Sequence, residues 1–370
     1  MPHSAESGGV QRLADQVAPQ SGIALLATPQ EAWLAWSGDL IAPDLHLKRL
    51  RTGQTWRFPI SGAPSDLRLL PLAERRLALL WLERSAGGAP SLQVAVLEAD
   101  GNLRRAPFEI GAAQRYAALP TPIVGVVALS LNEGALAIHA LDRLGRPYSK
   151  LAMAERAHRA TAALDGRDRL HLLWLSPADG ALWQLLYASF ELALLDQSAP
   201  RPPAPTLLAV LRLAEGEYIE SLGAAADSER LYALWNVVSV SAGGESARLA
   251  GLSFPLEAPL ESRALDLSAL PADLRAISLP FADAAQGGAP TLVGSRAGRR
   301  IVFAALTGQG AFRLREFEGA ARGEILSGGV AAALSANNAL HIAWLVQDSQ
   351  GRAGLRYAVF PRPQPAVAPR

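Results

Sequence analysis

Residues 340–360 read LHIAWLVQDSQGRAGLRYAVF, in which two apolar runs with alternating character flank a polar stretch that holds glycines. Short alternating runs broken by Gly, Asp and Ser are typical of β-strands rather than helices. Glycine supplies the positive φ that a tight turn between two strands needs. The stretch therefore predicts two antiparallel strands joined by a turn, the first marked by Trp344 and the second by Tyr357 and Phe360.

The first run recurs along the chain at intervals of 45 to 61 residues. Each copy has a segment of small residues before it and a second apolar run after it, and several copies then turn tightly into a fourth strand. Two weaker copies, around Val127 and Gly294, lack the tryptophan and complete a series of seven. A four-stranded unit at this spacing is typical of propeller blades. The stronger relatives are AWLAW (32–36), LALLW (77–81), LHLLW (170–174) and LYALW (231–235).

The expected fold is all-β: a seven-bladed β-propeller of four-stranded antiparallel blades. The last unit ends after its third strand, because residues 361–370 (PRPQPAVAPR) are too rich in proline to enter a ladder. The N-terminal segment 9–17 is therefore expected to supply the missing strand and close the last blade. We expect residues 1–8 to be disordered, 9–360 to form a single propeller domain, and 361–370 to be a proline-rich tail or linker.

Composition excludes several classes of function. The chain has 35 Lys and Arg residues against 34 Asp and Glu, so charge favours neither a nucleic-acid partner nor an anionic membrane surface. It has no cysteine, which excludes disulfides, thiolate metal sites and cysteine nucleophiles. No signal peptide is visible, and the longest apolar run (121–131) is too short to span a bilayer. We expect no direct membrane insertion, and a cytoplasmic location by default or a soluble portion of a larger surface protein.

The recurring tryptophans and histidines could be read as ligands or as structural residues. A ligand site would need such a residue in one or two blades, whereas recurrence in most blades favours packing between neighbouring sheets. His171 and His341 occupy equivalent positions on different blades, and no H-x-H or HExxH spacing is present. The sequence therefore predicts no metal, no cofactor and five structural tryptophans: Trp36, Trp81, Trp174, Trp235 and Trp344.

The stretch 165–174 (DGRDRLHLLW) and its sister copies resemble the repeat of sialidase-like propellers, the BNR or Asp-box-related superfamily. That family implies Asp-box turns, an arginine triad and a Tyr/Glu nucleophile pair. The nearest Asp-box relative, 51–56 (RTGQTW), lacks the aspartate and the leading serine, and no Tyr/Glu pair can be placed together from the sequence. The signatures of WD40 and kelch repeats are absent. The resemblance thus implies the blade layout without the sialidase catalytic residues.

The sequence is accordingly interpreted as a non-catalytic interaction module or scaffold that binds a protein or a carbohydrate through one propeller face. The alternative is an enzyme, a sialidase-like glycoside hydrolase or lyase, with its site at the axial funnel. Carboxylates and an arginine that converge in one funnel would favour the enzyme. The longest loops belong to blades five to seven, and they carry the predicted binding patch: Glu245, Arg296, Arg299, Arg300, Asp348 and Arg352.

Overall fold

The computed structural model describes residues 9–18, 22–38, 43–85, 88–197, 200–241, 244–271, 273–278, 291–306, 312–320, 323–335, 337 and 339–361. The segment predicted to be disordered, 1–8, and all of the predicted tail after Pro361 lie outside these residues. Regular structure in the described ranges consists of 28 β-strands and two single-turn 3-10 helices. No helix among these residues has the length and apolar character needed to cross a membrane.

The strands form seven separate four-stranded antiparallel sheets. Blade 1 contains β2 (Ile23–Ala27), β3 (Ala32–Ser37), β4 (Asp44–Arg49) and β5 (Thr55–Pro59). Blade 2 contains β6 (Ala63–Pro71), β7 (Leu77–Arg84), β8 (Ser91–Leu97) and β9 (Leu103–Ala112). Blade 3 contains β10 (Arg115–Thr121), β11 (Gly125–Asn132), β12 (Ala135–Leu141) and β13 (Pro147–Ala154). Blade 4 contains β14 (Arg159–Leu164), β15 (Arg169–Pro177), β16 (Leu182–Glu191) and β17 (Thr206–Arg212).

The remaining three blades complete the ring. Blade 5 contains β18 (Glu217–Ala226), β19 (Arg230–Ser241), β20 (Gly244–Pro255) and β21 (Arg263–Ala264). Blade 6 contains β22 (Leu274–Ser278), β23 (Thr291–Arg296), β24 (Arg300–Leu306) and β25 (Phe312–Glu318). Blade 7 contains β26 (Glu324–Leu334), β27 (Ala339–Gln347), β28 (Ala353–Pro361) and, from the other end of the chain, β1 (Gln11–Val17). The 3-10 helices are Ala73–Arg75 and Leu192–Asp196.

Ring closure follows the prediction that the N-terminal strand completes the last blade. β1 runs antiparallel to β28, with Gln11 opposite Tyr357 and Val17 opposite Ala353. The innermost strand of blade 1, β2, contacts the innermost strands of both blade 7 and blade 2. Because β1 covers the free edge of β28, that strand exposes no unpaired row of backbone donors and acceptors. The seven-bladed propeller predicted from the sequence is therefore confirmed.

The core is divided among interfaces between neighbouring blades. Trp81 is fully buried with Leu45 and Leu47 of blade 1, and Trp344 is fully buried with Phe303 of blade 6. Each such burial removes a large apolar surface from water and stabilises the fold by about 2–3 kcal/mol. Trp36, Trp174 and Trp235 are likewise buried in clusters shared with the preceding blade. The repeated tryptophan thus packs against the preceding blade at five interfaces.

Blade 3 departs from the alignment that the sequence suggested. Val127, taken as the counterpart of the tryptophans, packs with Trp174 of the following blade. The residues of the same strand that face the preceding blade are Val126 and Ala128. Successive side chains of a strand point to opposite faces, so a shift of one residue in the alignment exchanges the two neighbours.

Candidate functional site

The innermost strand of each blade begins at the end of the disc where its second strand ends and its third strand begins. We call this end the upper face, and the opening that the innermost strands surround the funnel. In blades 2 to 5 the starts of the innermost strands carry titratable side chains, with a tryptophan beside them on the third strand of blade 4. We call these residues the funnel cluster: Asp66, Arg115, His158, Arg159, Trp183 and Tyr218.

Asp66 lies in a β-bulge of blade 2. The register shifts there, so that Asp66 and Leu67 together face the single residue Trp81. The backbone φ of Asp66 is +50°, in the left-handed region that residues other than glycine adopt at a cost. Its carbonyl oxygen accepts a hydrogen bond from the Tyr116 hydroxyl of blade 3. The bulge is therefore held against the next blade and turns Asp66 out of the regular ladder.

Asp66 is exposed, and its carboxylate lies within electrostatic range of two arginines. Loss of hydration to the surrounding protein raises its pKa, while the positive charges of Arg68 and Arg115 act in the opposite direction. Desolvation lowers the pKa of Arg115, and the charge of Asp66 raises it. Neither the Asp66 carboxylate nor the exposed Arg115 guanidinium has a hydrogen-bond partner within the described part of the chain. Both groups are thus available to a ligand.

His158 immediately precedes β14 and packs against Trp183, with ring centroids 4.9 Å apart. Desolvation lowers the pKa of His158 to about 4, and the positive charges of Arg159 and Arg115 add to that shift. The imidazole is therefore neutral at neutral pH. Its ring nitrogens have no hydrogen-bond partner among the residues described here. An unengaged neutral imidazole can accept a proton from a bound molecule.

The Arg159 guanidinium is held by two of its nitrogens and open at the third. Its side chain is buried, Nε donates to the Glu220 carbonyl at 3.0 Å, and Nη1 donates to the His158 carbonyl at 3.1 Å. Among the described residues Nη2 has no acceptor. Desolvation lowers the pKa of Arg159 to about 10, with Arg115 acting in the same direction, so the group stays charged at neutral pH. A fixed cation with one free nitrogen suits a carboxylate or another anionic group.

Blade 5 has its own bulge at the start of β18. Ile219 pairs with Val237 and Ser221 pairs with Asn236, which leaves Glu220 as the extra residue. Tyr218 precedes it by two positions, is 40% exposed, and has no hydrogen-bond partner for its hydroxyl in the described ranges. The sequence analysis found no Tyr/Glu pair that could be placed together. Tyr218 and Glu220 lie two residues apart on β18, but the Glu220 carboxylate bonds to Asn236 rather than to the Tyr218 hydroxyl. Both residues lie on one strand, close enough to Arg159 to shift its pKa.

The funnel cluster is electrostatically continuous across four blades. The charge of Asp66 raises the pKa of Arg115, and the charge of Arg115 lowers the pKa values of His158 and Arg159. Tyr218 also interacts electrostatically with Arg159. The cluster therefore combines two cations, a neutral proton acceptor, a phenol and an aromatic surface. Such a set can bind an acidic sugar and transfer protons to and from it. One carboxylate, Asp66, and two arginines thus lie beside one funnel, which supplies the arginines of the criterion for an enzyme and a single carboxylate.

The binding patch predicted from the sequence lies on the upper face of blades 5 to 7, outside the funnel cluster. Arg296 donates to Asp273 at 3.0 Å and to Glu316 at 3.3 Å, and Arg300 also donates to Glu316. Exposed ion pairs of this kind contribute about 0–1 kcal/mol each. The arginines at two of the three positions are thus already paired locally. Arg299 and Glu245 are exposed on the same face.

The last two residues of that patch form a local turn in blade 7. Asp348 accepts hydrogen bonds from the backbone N–H groups of Gln350 and Arg352 and from the Arg352 side chain at 3.0 Å. These contacts stabilise the turn between β27 and β28. The binding role of the whole patch stays a prediction.

The recurring histidines belong to hydrogen-bond networks within single blades. His171 Nδ1 lies 2.8 Å from the Tyr187 hydroxyl, and His171 Nε2 lies 3.1 Å from Asp165 Oδ2. His341 Nδ1 lies 2.6 Å from the Tyr357 hydroxyl in the same arrangement. The D…L-H-x-x-W pattern of blade 4 therefore encodes a buried Asp–His–Tyr link between a turn and two strands, whereas blade 7 has Ser335 in place of the aspartate and keeps the His–Tyr part. No group of three or more His, Cys, Asp and Glu residues placed to hold a metal occurs in the described ranges.

Sequence reasoning missed the funnel cluster, although a signal for it was present. The segments RYAAL (115–119), HRATAAL (158–164) and EYIESLGAAA (217–226) each begin with charged or aromatic residues and continue with small ones. An innermost strand starts at the upper face, so residues at its start lie beside the funnel. Comparing these starts between blades would have brought Arg115, His158 and Tyr218 together.

No family model matches the chain, and no curated protein matches it. Solved structures do match, at 10–11% sequence identity. A polysaccharide lyase, the PL25 ulvan lyase bound to -[GlcA(1-4)Rha3S]-, covers 96% of this chain and 95% of its own, with a TM-score of 0.57 and 11% identity. The Pan2 WD40 domain of Neurospora crassa covers 99% and 100%, with a TM-score of 0.53 and 11% identity. A Dyadobacter fermentans protein of unknown function covers 96% and 100%, with a TM-score of 0.50 and 10% identity. These likenesses concern the propeller fold.

The comparisons correct the functional interpretation of the sequence. A lyase appears among the similar structures both with and without its oligosaccharide, and each match spans nearly the whole chain. This favours the enzymatic alternative over the non-catalytic scaffold, and the funnel cluster points the same way. The error arose because the loops of blades 5 to 7 drew attention to the rim, whereas the unpaired titratable groups lie at the starts of the innermost strands of blades 2 to 5.

Proposed function

We propose that this protein is an enzyme that cleaves acidic polysaccharides by β-elimination at the funnel cluster. The observation that carries the proposal is the position of His158. Its neutral imidazole has no hydrogen-bond partner in the described residues, packs against Trp183, and lies beside the two cations Arg115 and Arg159. Elimination from a uronic acid needs a proton acceptor and cationic groups at the carboxylate.

Each step of the reaction has a matching side chain. Arg115 and Arg159 bind the uronate carboxylate, which stabilises the negative charge that develops when the C5 proton leaves. His158 accepts that proton, and the electron pair of the C5–H bond forms the C4–C5 double bond. The C4–O bond breaks at the same time, and Tyr218 gives its phenolic proton to the departing sugar oxygen. Solvent then returns the proton from His158 to Tyr218.

Substrate binding also strengthens the base. Desolvation and, after it, the positive charges of Arg159 and Arg115 lower the pKa of His158 to about 4 without substrate. A uronate carboxylate bound between those arginines offsets their charge. The pKa of His158 therefore rises on binding, toward the range in which a general base works best near neutral pH.

Trp183 supplies the surface for the sugar ring. Its indole is partly exposed at the start of β16 and meets His158 on one side. The apolar face of a sugar ring packs well on an indole, which holds the ring at a fixed distance from neighbouring side chains. The ulvan lyase among the similar structures was solved with an oligosaccharide of glucuronate and a sulfated rhamnose. That ligand class is consistent with the charge of the funnel cluster, and its chemistry belongs to that protein.

A second candidate, hydrolysis of an acidic glycoside, is favoured by one observation. Tyr218 and Glu220 lie on one strand beside Arg159, and sialidase-like enzymes use a Tyr/Glu pair and arginines. In that case Glu220 would act as a carboxylate that activates Tyr218. The structure engages Glu220 differently, because its Oε2 accepts a hydrogen bond from Asn236 at 2.9 Å. We therefore rank elimination first.

The test is incubation of the purified protein with polyuronates and sulfated uronate polymers. Elimination gives an unsaturated uronate that absorbs ultraviolet light, together with a new reducing end. His158→Gln should lower the rate by about 10²–10⁴-fold. Arg167→Gln is the matched control, because Arg167 forms an exposed ion pair with Glu257 near the first turn of blade 4, at the opposite face. New reducing ends without ultraviolet absorbance would show hydrolysis instead, and no cleavage across the panel would contradict both candidates.

A further inference from the structure

Asn236 is a buried amide beside the repeated tryptophan of blade 5. It is 1% exposed, and its Nδ2 donates to Glu220 Oε2 at 2.9 Å. Its Oδ1 is buried and has no partner in the described part of the chain. The bond to Glu220 is therefore the side-chain contact that fixes the direction of the amide. A buried polar group with one unsatisfied atom is costly, which calls for a reason for its presence.

Glu220 links this amide to the funnel. As the extra residue of a bulge, Glu220 is released from the regular ladder. Its carbonyl oxygen is free to accept the bond from Arg159 Nε at 3.0 Å, which crosses from blade 4 to blade 5. Tyr218 lies two residues earlier in the same strand. One contact of Glu220 thus reaches the core of blade 5, and the other reaches a cation of the funnel cluster.

We propose that Glu220 and Asn236 form a positioning pair, which sets the orientation of Arg159 and Tyr218 toward the substrate through the bulge of β18. This inference rests on the proposed function, and it assigns no catalytic role to the Glu220 carboxylate. The side chain acts as a hydrogen-bond acceptor for the amide. The bulge, once fixed, presents its carbonyl to Arg159 and its preceding residue to the funnel.

Two substitutions of equal length separate positioning from catalysis. Glu220→Gln and Glu220→Met both remove the charge, but only glutamine keeps an oxygen that can accept the bond from Asn236. A positioning role predicts that E220Q retains kcat/KM close to that of the unmodified protein. It predicts that E220M loses about ten- to a hundredfold, because small displacements of a positioned group have large effects on rate. A catalytic carboxylate predicts equal and severe losses in both variants.

A second readout does not depend on cleavage of any substrate. The charge of Arg159 contributes to the lowered pKa of His158, so a displaced Arg159 should let that pKa rise above about 4. NMR titration of the His158 ring, assigned by comparison with His158→Gln, should therefore give a higher pKa in E220M than in E220Q. If no polysaccharide is cleaved but the two titrations differ, the proposed function fails while the positioning pair stands.

The proposal is overturned if E220Q and E220M behave alike in both kinetics and titration. Thermal melting of each variant shows whether it is folded. Should E220M not fold, Asn236→Leu removes the donor from the other side of the same bond without changing any charge. It should then reproduce the rise in the pKa of His158, and an unchanged titration in folded N236L would equally refute the pair.

Discussion

The imidazole of His158 packs against the indole of Trp183, with ring centroids 4.9 Å apart and ring planes inclined by 56°. The two residues come from different strands of blade 4, one just before β14 and the other near the start of β16. The contact places a neutral proton acceptor at the edge of an apolar surface. Under the proposed function, a sugar ring on the indole lies beside the group that takes its proton.

Replacing Trp183 tests this arrangement. Trp183→Ala removes the surface for the sugar and should raise KM about 3- to 10-fold, the equivalent of roughly 0.5–1.5 kcal/mol of aromatic contact. Trp183→Phe keeps an aromatic ring, so its KM should lie between that of the unmodified protein and that of W183A. Steady-state kinetics on the best substrate of the panel measures both. A W183A variant with unchanged KM and kcat would remove Trp183 from the site.

The pH dependence of catalysis follows from the pKa of His158. The proposed base must be neutral, so kcat/KM should rise with pH through about 4 and then level off. Because a bound carboxylate offsets the nearby arginines, the corresponding limb of kcat should lie at higher pH. Measuring kcat/KM and kcat over the same range of pH checks this. An acidic limb of kcat below that of kcat/KM would contradict the assignment.

Arg115 offers a test of the coupling between blades. Its positive charge lowers the pKa of His158, so Arg115→Gln should move the acidic limb of kcat/KM to higher pH. Arg115→Lys keeps the charge and should leave the limb in place, although its weaker grip on a carboxylate should raise KM. An acidic limb of kcat/KM at the same pH in R115Q and R115K would mean that Arg115 lies too far away to shift the pKa of His158.

His139 predicts a pH dependence of stability rather than of catalysis. It is buried, lies 2.8 Å from the Ser130 hydroxyl, and has its pKa lowered to about 4 by desolvation, with Lys150 adding to the effect. The unfolded chain binds this proton near pH 6.5, so stability is retained above that pH and is lost as pH falls toward 4. The loss is about 3 kcal/mol for this one group. Urea unfolding near pH 4 and near pH 6.5 measures the free energy of unfolding at each pH. The difference between the two values should be smaller in His139→Gln than in the unmodified protein, and an equal difference would contradict the prediction.

The predicted binding patch on the upper face gives the last prediction. If Arg299 and Arg300 contact distant parts of an anionic polymer, their replacement by glutamine should raise KM for long chains and leave short oligosaccharides unaffected. The effect should also weaken as salt is added. Kinetics with substrates of two lengths at two ionic strengths measures this. Equal KM values for the variant and the unmodified protein on long chains would remove the patch from the interface.

The fold was predictable because its signal is repeated. Trp81 and Trp344 recur with the same neighbours in sequence, since each fills the same space against the preceding blade. Blade 3 was misaligned by one residue because a run of valine and alanine offers no large side chain to mark the face. Val127 and Val126 look alike in the sequence, and only the packing separates them.

The site was not predictable in the same way. Arg115, His158 and Tyr218 come from three blades and share no motif, because each depends on where its own innermost strand begins. Asp66 and Glu220 depend further on bulges, which shift the register without a residue type that announces them. The sequence thus contained the residues, whereas their convergence came from the closure of the ring.

The separation of the tryptophan interfaces from the starts of the innermost strands has a consequence for how such a protein can diversify. Stability depends on contacts midway along each sheet, while the proposed chemistry depends on one or two side chains contributed by each of four sheets. A substitution at Arg115 or Tyr218 changes the funnel cluster and leaves the tryptophans packed between the blades unchanged. New specificities can therefore arise through substitutions in single blades while the propeller fold stays the same.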